Sequence, residues 1–187
     1  MKKVRITTKA YGEHRCLAIK ARVEDISTVI ERARAIAEQG PLEIFLEDSD
    51  FDCPEGKVKL RSFSSAGRKA IFFESEDTAT AKESRVRILR TSDPELMIQA
   101  MSDHYAVLSK LRKKRTLFIV GNARIFLDEV EGLGSFVELE VFLIENVTVD
   151  QATTTIGLLM KRLGIRKKDL VGDSNIDLFG KGPTGGA

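Results

Sequence analysis

The stretch Arg124-Ile125-Phe126-Leu127-Asp128-Glu129-Val130-Glu131-Gly132-Leu133-Gly134-Ser135-Phe136-Val137-Glu138-Leu139-Glu140 reads as a strand, a glycine-bearing turn and a second strand. In an extended chain successive side chains point to opposite faces, so Glu138 and Glu140 share one face while Val137, Leu139 and Val141 share the other. Arg124 and Asp128, also an even number apart, share a face of the preceding strand. A hairpin through Gly132-Leu133-Gly134 therefore sets an acid and a base from one strand against two acids from the next, a constellation that suits a cation and a phosphate. The competing reading of the acidic pair is the ordinary solvated face of an antiparallel sheet.

The pattern recurs with the opposite charge. Lys57, Lys59 and Arg61 alternate with Val58 and Leu60; Lys113 and Arg115 precede the apolar run Leu117-Phe118-Ile119-Val120; Arg85 and Arg87 bracket Val86. Like charges in a row on an open sheet repel unless something acidic or anionic faces them. Cationic and acidic strands of matching period point to a closed or nearly closed sheet with a charged interior, suited to a polyanion with bound metal.

A chain of 187 residues fits one sizeable domain, expected over 1–180, with the glycine-rich residues 181–187 as a flexible tail. Its net charge of only +2 argues against a general nucleic-acid surface and for local pairing of opposite charges. Cys16 and Cys53 lack metal-ligand spacing and read as unpaired thiols of a cytoplasmic protein. No signal-like apolar core follows Met1 and no run approaches a membrane span, so neither membrane nor nucleic acid is an expected partner. A two-fold homodimer is the default oligomer. Asp48, Asp50 and Asp52 recur at period two, lack the glycine and terminal glutamate of an EF-hand loop, and read as a polar face at a hairpin edge. His14 and His104 read as surface or structural residues.

Alternation predicts strands over 3–9, 15–22, 42–47, 57–63, 69–74, 85–90, 115–121, 123–130 and 136–143. Helices are expected from Asp25 to Gln39 with Gly40-Pro41 as the stop, from the N-cap dipeptide Asp93-Pro94, and from near Asp150 to Gly164. The class is α+β, a barrel or strongly curved antiparallel sheet with helices packed outside.

These segments resemble the CYTH superfamily, the triphosphate tunnel fold of class IV adenylyl cyclases and thiamine triphosphatases. The resemblance runs through Leu127–Glu140, through Asp48-Ser49-Asp50-Phe51-Asp52-Cys53-Pro54-Glu55-Gly56 and Lys57-Val58-Lys59-Leu60-Arg61, through Ile71–Glu74 and Lys82-Glu83-Ser84, and through Lys113-Lys114-Arg115. It is greatest to the bacterial class IV cyclases. It implies an eight-stranded antiparallel barrel that grips a nucleoside triphosphate or other polyphosphate through Lys20, Lys57, Lys59, Arg61, Lys82, Lys113, Arg115 and Arg124. Lys20, Lys113 and Arg115 would be the catalytic cations, and Mg²⁺ or Mn²⁺ would be held by Asp128, Glu138 and Glu140. The implied reaction is cyclisation of ATP to cyclic AMP and pyrophosphate; hydrolysis of inorganic or thiamine triphosphate, and binding without turnover, are the alternatives.

Three departures bear on that choice. The family opens with Glu-x-Glu-x-Lys, and here Lys20 remains while Cys16 and Ala18 replace both glutamates. Asn175 stands where the family commonly has tyrosine, and Ser75 where arginine often follows the glutamate. A thiol is a poor ligand for Mg²⁺ and alanine offers none, so a second metal, and two-metal catalysis with it, is not expected.

Overall fold

The computed structural model describes residues 13–53, 56–63, 82–87 and 93–171. Seven strands within them form one antiparallel sheet: β1 (Glu13–Val23), β2 (Gln39–Cys53), β3 (Gly56–Phe63), β4 (Lys82–Arg87), β5 (Ala106–Val120), β6 (Ala123–Val130) and β7 (Gly134–Phe142), ordered β3-β2-β5-β6-β7-β1-β4. Three helices accompany them: α1 (Ile26–Ile36), α2 (Pro94–Ser102) and α3 (Val149–Leu163). The strands expected at 3–9 and 69–74, Ser75, Asn175 and the tail at 181–187 lie outside the described residues, and so does any strand joining β3 to β4.

The β6–β7 hairpin forms where expected, with Gly132 and Gly134 at φ 75° and 93°. Helix α2 starts on Asp93, which accepts from Leu96 N at 2.9 Å. Helix α3 starts on Thr148, whose capping box with Gln151 satisfies two orphan ends, and stops on Gly164 at φ 77°.

Two expectations are corrected. Helix α1 stops at Ile36, and Gly40-Pro41 lies inside β2 instead of in a terminator. There a Cβ on Gly40 would sit 2.6 Å from Leu117 O, so glycine is demanded by strand packing and not by a helix end. Strands β2 and β5 also run 15 residues each, beyond the expected 42–47 and 115–121. Their added lengths pair with one another, Leu46 with Lys113 through Asp52 with Ala106, and carry alternating charges where a purely apolar signal is absent.

Each strand divides its side chains between two faces. Leu17, Ile19, Ala21, Ile125, Leu127, Val137, Leu139 and Val141 pack beneath Val29 and Ala33 of α1 and Ala152, Ile156, Leu159 and Leu163 of α3. Helix α2 covers Phe51 and Leu60 with Met97, Ile98 and Met101. The other face carries the charges. Lys59 on β3 is among the charges that depress Lys20 on β1, although five inter-strand steps separate those strands. In a flat sheet that is about 24 Å at roughly 4.8 Å per step, too far for appreciable coupling through solvent. The sheet is therefore rolled, helices outside and charges within.

Leu139 is fully buried beneath α3, whereas Leu158 on that helix is 58% exposed. Leu139→Ala is expected to cost about 2–5 kcal/mol in urea unfolding. Leu158→Ala should stay within about 0.5 kcal/mol.

Candidate functional site: a charged inner face

The register places the inner-face residues opposite one another. Asp48 faces Arg61 and Asp50 faces Lys59 across β2 and β3. Arg115 faces Asp128 across β5 and β6, and Arg124 faces Glu140 across β6 and β7. Lys20 faces Glu138, and Ala18 faces Glu140, across β7 and β1. Lys82 pairs with Ala18 on the other side. Of the expected phosphate-binding cations, Lys20, Lys59, Arg61, Lys113, Arg115 and Arg124 thus share the inner face. The backbone of Lys57 lies opposite Asp52.

At the centre is a chain of buried charges. Arg61 forks onto Asp48 with Nε and Nη2 at 2.6 and 2.8 Å. Lys113 Nζ lies 2.9 Å from Asp48 Oδ2 and 3.5 Å from Asp128 Oδ2. Arg115 forks onto Asp128 with Nε and Nη2 at 2.6 and 2.7 Å, and the same Nη2 donates to Glu138 Oε2 at 2.7 Å. The guanidinium also lies 4.1 Å over the Phe126 ring. Beside this chain Asp50 accepts from Ser109 Oγ at 2.9 Å and lies 3.5 Å from Lys59 Nζ. Lys20 sits 4.6 Å over Phe136, and Arg124 4.4 Å over Phe142.

Burial alone would raise Asp48 and Asp128, but Arg61 and Lys113 on the one, and Arg115 and Lys113 on the other, hold both well below the usual carboxylate range. Burial wins at the lysines. Lys113 is pushed down despite its two carboxylates, and Lys20 falls to about 7 through burial and the nearby Lys113, against the pull of Glu138. Glu140 rises to about 7 through burial and the adjacent Glu138. The Cys16 thiol is pushed up to about 12 by burial, then by Glu140 and Glu138, and stays protonated.

The three expected metal ligands divide. Glu138 and Glu140 act on one another as neighbouring negative charges, whereas both oxygens of Asp128 are taken by Arg115. No group of three Asp, Glu, His or Cys side chains is placed to hold a metal among the described residues. Two hard carboxylates on one face still fit Mg²⁺ or Mn²⁺, which take one or two protein carboxylates and complete the shell with water and phosphate oxygens.

Asp48 and Asp50, expected on a polar face at a hairpin edge, do lie on the β2–β3 hairpin, but at 0% and 2% exposure their partners are cations and not water. The signal was present. A single hairpin register between β2 and β3 sets Asp48, Asp50 and Asp52 opposite Arg61, Lys59 and Lys57.

Helices cover one face of this antiparallel sheet, and paired cations and carboxylates line the other. The CYTH domain profile matches residues 18–174, and the chain belongs to the CYTH family. A Methanocaldococcus jannaschii protein named "Putative adenylate cyclase" is 24% identical over 169 residues, which span 87% of this chain and 97% of that one. A solved protein of Pyrococcus horikoshii OT3 superposes with a TM-score of 0.75 at 21% identity, covering 87% of this chain and 98% of its own. A Hippeastrum protein described as a "Putative adenylyl cyclase" with a dominant triphosphatase activity superposes at 0.59 with 13% identity, covering 90% and 95%. No helix among the described residues is long and apolar enough to cross a membrane.

Asp48 lies between two cations, so Asp48→Asn should cost about 3–5 kcal/mol near neutral pH by leaving them unpaired. A carboxyl whose folded pKa is depressed contributes stability above its unfolded value of 3.8, lost as pH falls below it. Urea unfolding should therefore show a shallower loss of stability between about pH 5 and pH 2 in the variant than in the wild type.

Proposed function

We propose that this chain binds a triphosphate, with a divalent cation, on the inner face of its sheet, closed into an eight-stranded tunnel by the single domain spanning 1–180. The reaction is of the class IV adenylyl cyclase type, ATP to cyclic AMP and pyrophosphate, slowed by the loss of two metal-ligand glutamates. The observation that carries this reading is the burial of Arg61, Lys113 and Arg115 at 8%, 5% and 5% exposure on one face. A sheet stabilised by apolar packing alone gains nothing by lining its interior with three cations. A face that grips phosphate needs them.

Lys20, Lys113 and Arg115 would neutralise charge on the reacting phosphates, with Lys57, Lys59, Arg61, Lys82 and Arg124 gripping the remainder. This is catalysis by positioning and electrostatics, and it asks for no histidine. The ribose 3′-hydroxyl attacks the α-phosphorus and pyrophosphate leaves. Glu138 and Glu140 would hold the cation, which supplies Lewis-acid charge neutralisation at the phosphate oxygens. Asp128, first expected as a third ligand, serves in this reading to orient Arg115. Hydrolysis is the competing outcome, with water in place of the hydroxyl.

Ala18 faces Glu140 in register and Cys16 follows on the same face, so carboxylates introduced there would stand beside the acidic pair. Incubating the protein with ATP and Mn²⁺ should yield slow formation of cyclic AMP and pyrophosphate, and Cys16→Glu with Ala18→Glu should raise Mg²⁺-dependent turnover. Phosphate release in place of cyclic AMP would assign the chain to the triphosphatases. Failure to bind any triphosphate in the presence of Mn²⁺ would sink the reading.

A further inference from the structure

Arg115 is shared by two carboxylates that differ in freedom. Asp128 is 2% exposed and holds Nε and Nη2 in a fork; Glu138 touches only Nη2 and its side chain keeps 29% exposure. Asp128 is thus built in, and Glu138 can leave. Across the described inner face, Lys20, Lys59, Arg61, Lys113, Arg115 and Arg124 confront Asp48, Asp50, Asp128, Glu138 and Glu140. These carboxylates offset cationic charge before any ligand arrives, and Arg115 in particular is already engaged by two of them. Glu138 also stands where an incoming phosphate oxygen would reach Arg115 Nη2.

We propose that Glu138 is a displaceable counter-anion on Arg115 that couples cation binding to triphosphate binding. Without a divalent cation it occupies Arg115 and repels phosphate. Glu138 and Glu140 together would hold the cation, and with Glu138 so engaged Arg115 Nη2 would donate to the phosphate. Each ligand then strengthens the other by the same factor, because binding linkage is reciprocal. This inference rests on the proposed triphosphate site and adds to it which side chain connects the two ligands.

Calorimetric titration of inorganic triphosphate into metal-free protein tests it with three variants. Glu138→Gln removes both the charge and the strong contact, and should bind metal-free triphosphate about tenfold or more tightly than wild type, the worth of one charge-assisted hydrogen bond. Glu138→Asp keeps the charge but withdraws the carboxylate by a methylene, and should capture part of that gain. Glu140→Gln removes the neighbouring carboxylate, which forms no ion pair with Arg115, and should gain clearly less. Addition of Mg²⁺ should then tighten binding in wild type more than in Glu138→Gln. Equal gains in Glu138→Gln and Glu140→Gln, or none in Glu138→Gln while wild type binds with Mg²⁺, would overturn the coupling and leave the triphosphate site standing. Absence of binding by wild type both with and without Mg²⁺ would overturn the site itself.

Discussion

Arg61, Lys113 and Arg115 are held out of water on one face of the sheet by only two fully buried carboxylates, Asp48 and Asp128. An isolated buried cation costs several kcal/mol, so this arrangement survives only if each donor meets an oxygen at good geometry. The residue types suit their places. A guanidinium presents two parallel donors to one carboxylate, and both arginines use that fork. Between the two carboxylates a point donor on a flexible stem is needed, and Lys113 reaches oxygens on both. That burial still pushes Lys113 down shows how near the balance lies.

This chain of charges also fixes the register of four strands. Its members come from β3, β2, β5 and β6, and a slip of one residue in any pair would turn an arginine or an aspartate onto the helix-covered face. The apolar residues between them would turn inward at the same time. Outer ion pairs constrain far less: Arg112 with Glu47 and Lys114 with Glu43 are solvated, and such pairs contribute about 0–1 kcal/mol each. The roll of the sheet then follows from covering one face with α1, α2 and α3 while leaving the other to charge, and it brings β1 toward β3 across the interior.

Much of this was legible before any coordinates. The β6–β7 hairpin, the shared face of Glu138 and Glu140, the cationic faces around Lys59 and Lys113, and the starts of α2 and α3 follow from alternation and capping. What was missed has a common cause. Asp48, Asp50 and the first half of β5 form strands by pairing charge with charge, while apolar alternation was the signal sought. Gly40-Pro41 misled for a different reason: a glycine required by the close approach of Leu117 looks, in one dimension, like a helix stop. Asp128 was expected among the metal ligands, and Arg115 among the phosphate-binding cations, without the fork that joins them.

The missing glutamates can be weighed by charge. With glutamate at 16 and 18 two more carboxylates would stand beside Glu138 and Glu140, a local concentration of negative charge that a divalent cation would neutralise. With Ala18, and with a Cys16 thiol that stays protonated, that corner keeps only Glu138 and Glu140. The substitutions therefore act on both ligands at once. They strip hard oxygen from the cation, which should slow chemistry that depends on it, and they lower the electrostatic barrier to the phosphates. Retention of Glu138 on Arg115 limits that second effect, because a partly exposed carboxylate still occupies a donor of that arginine that a phosphate oxygen would need.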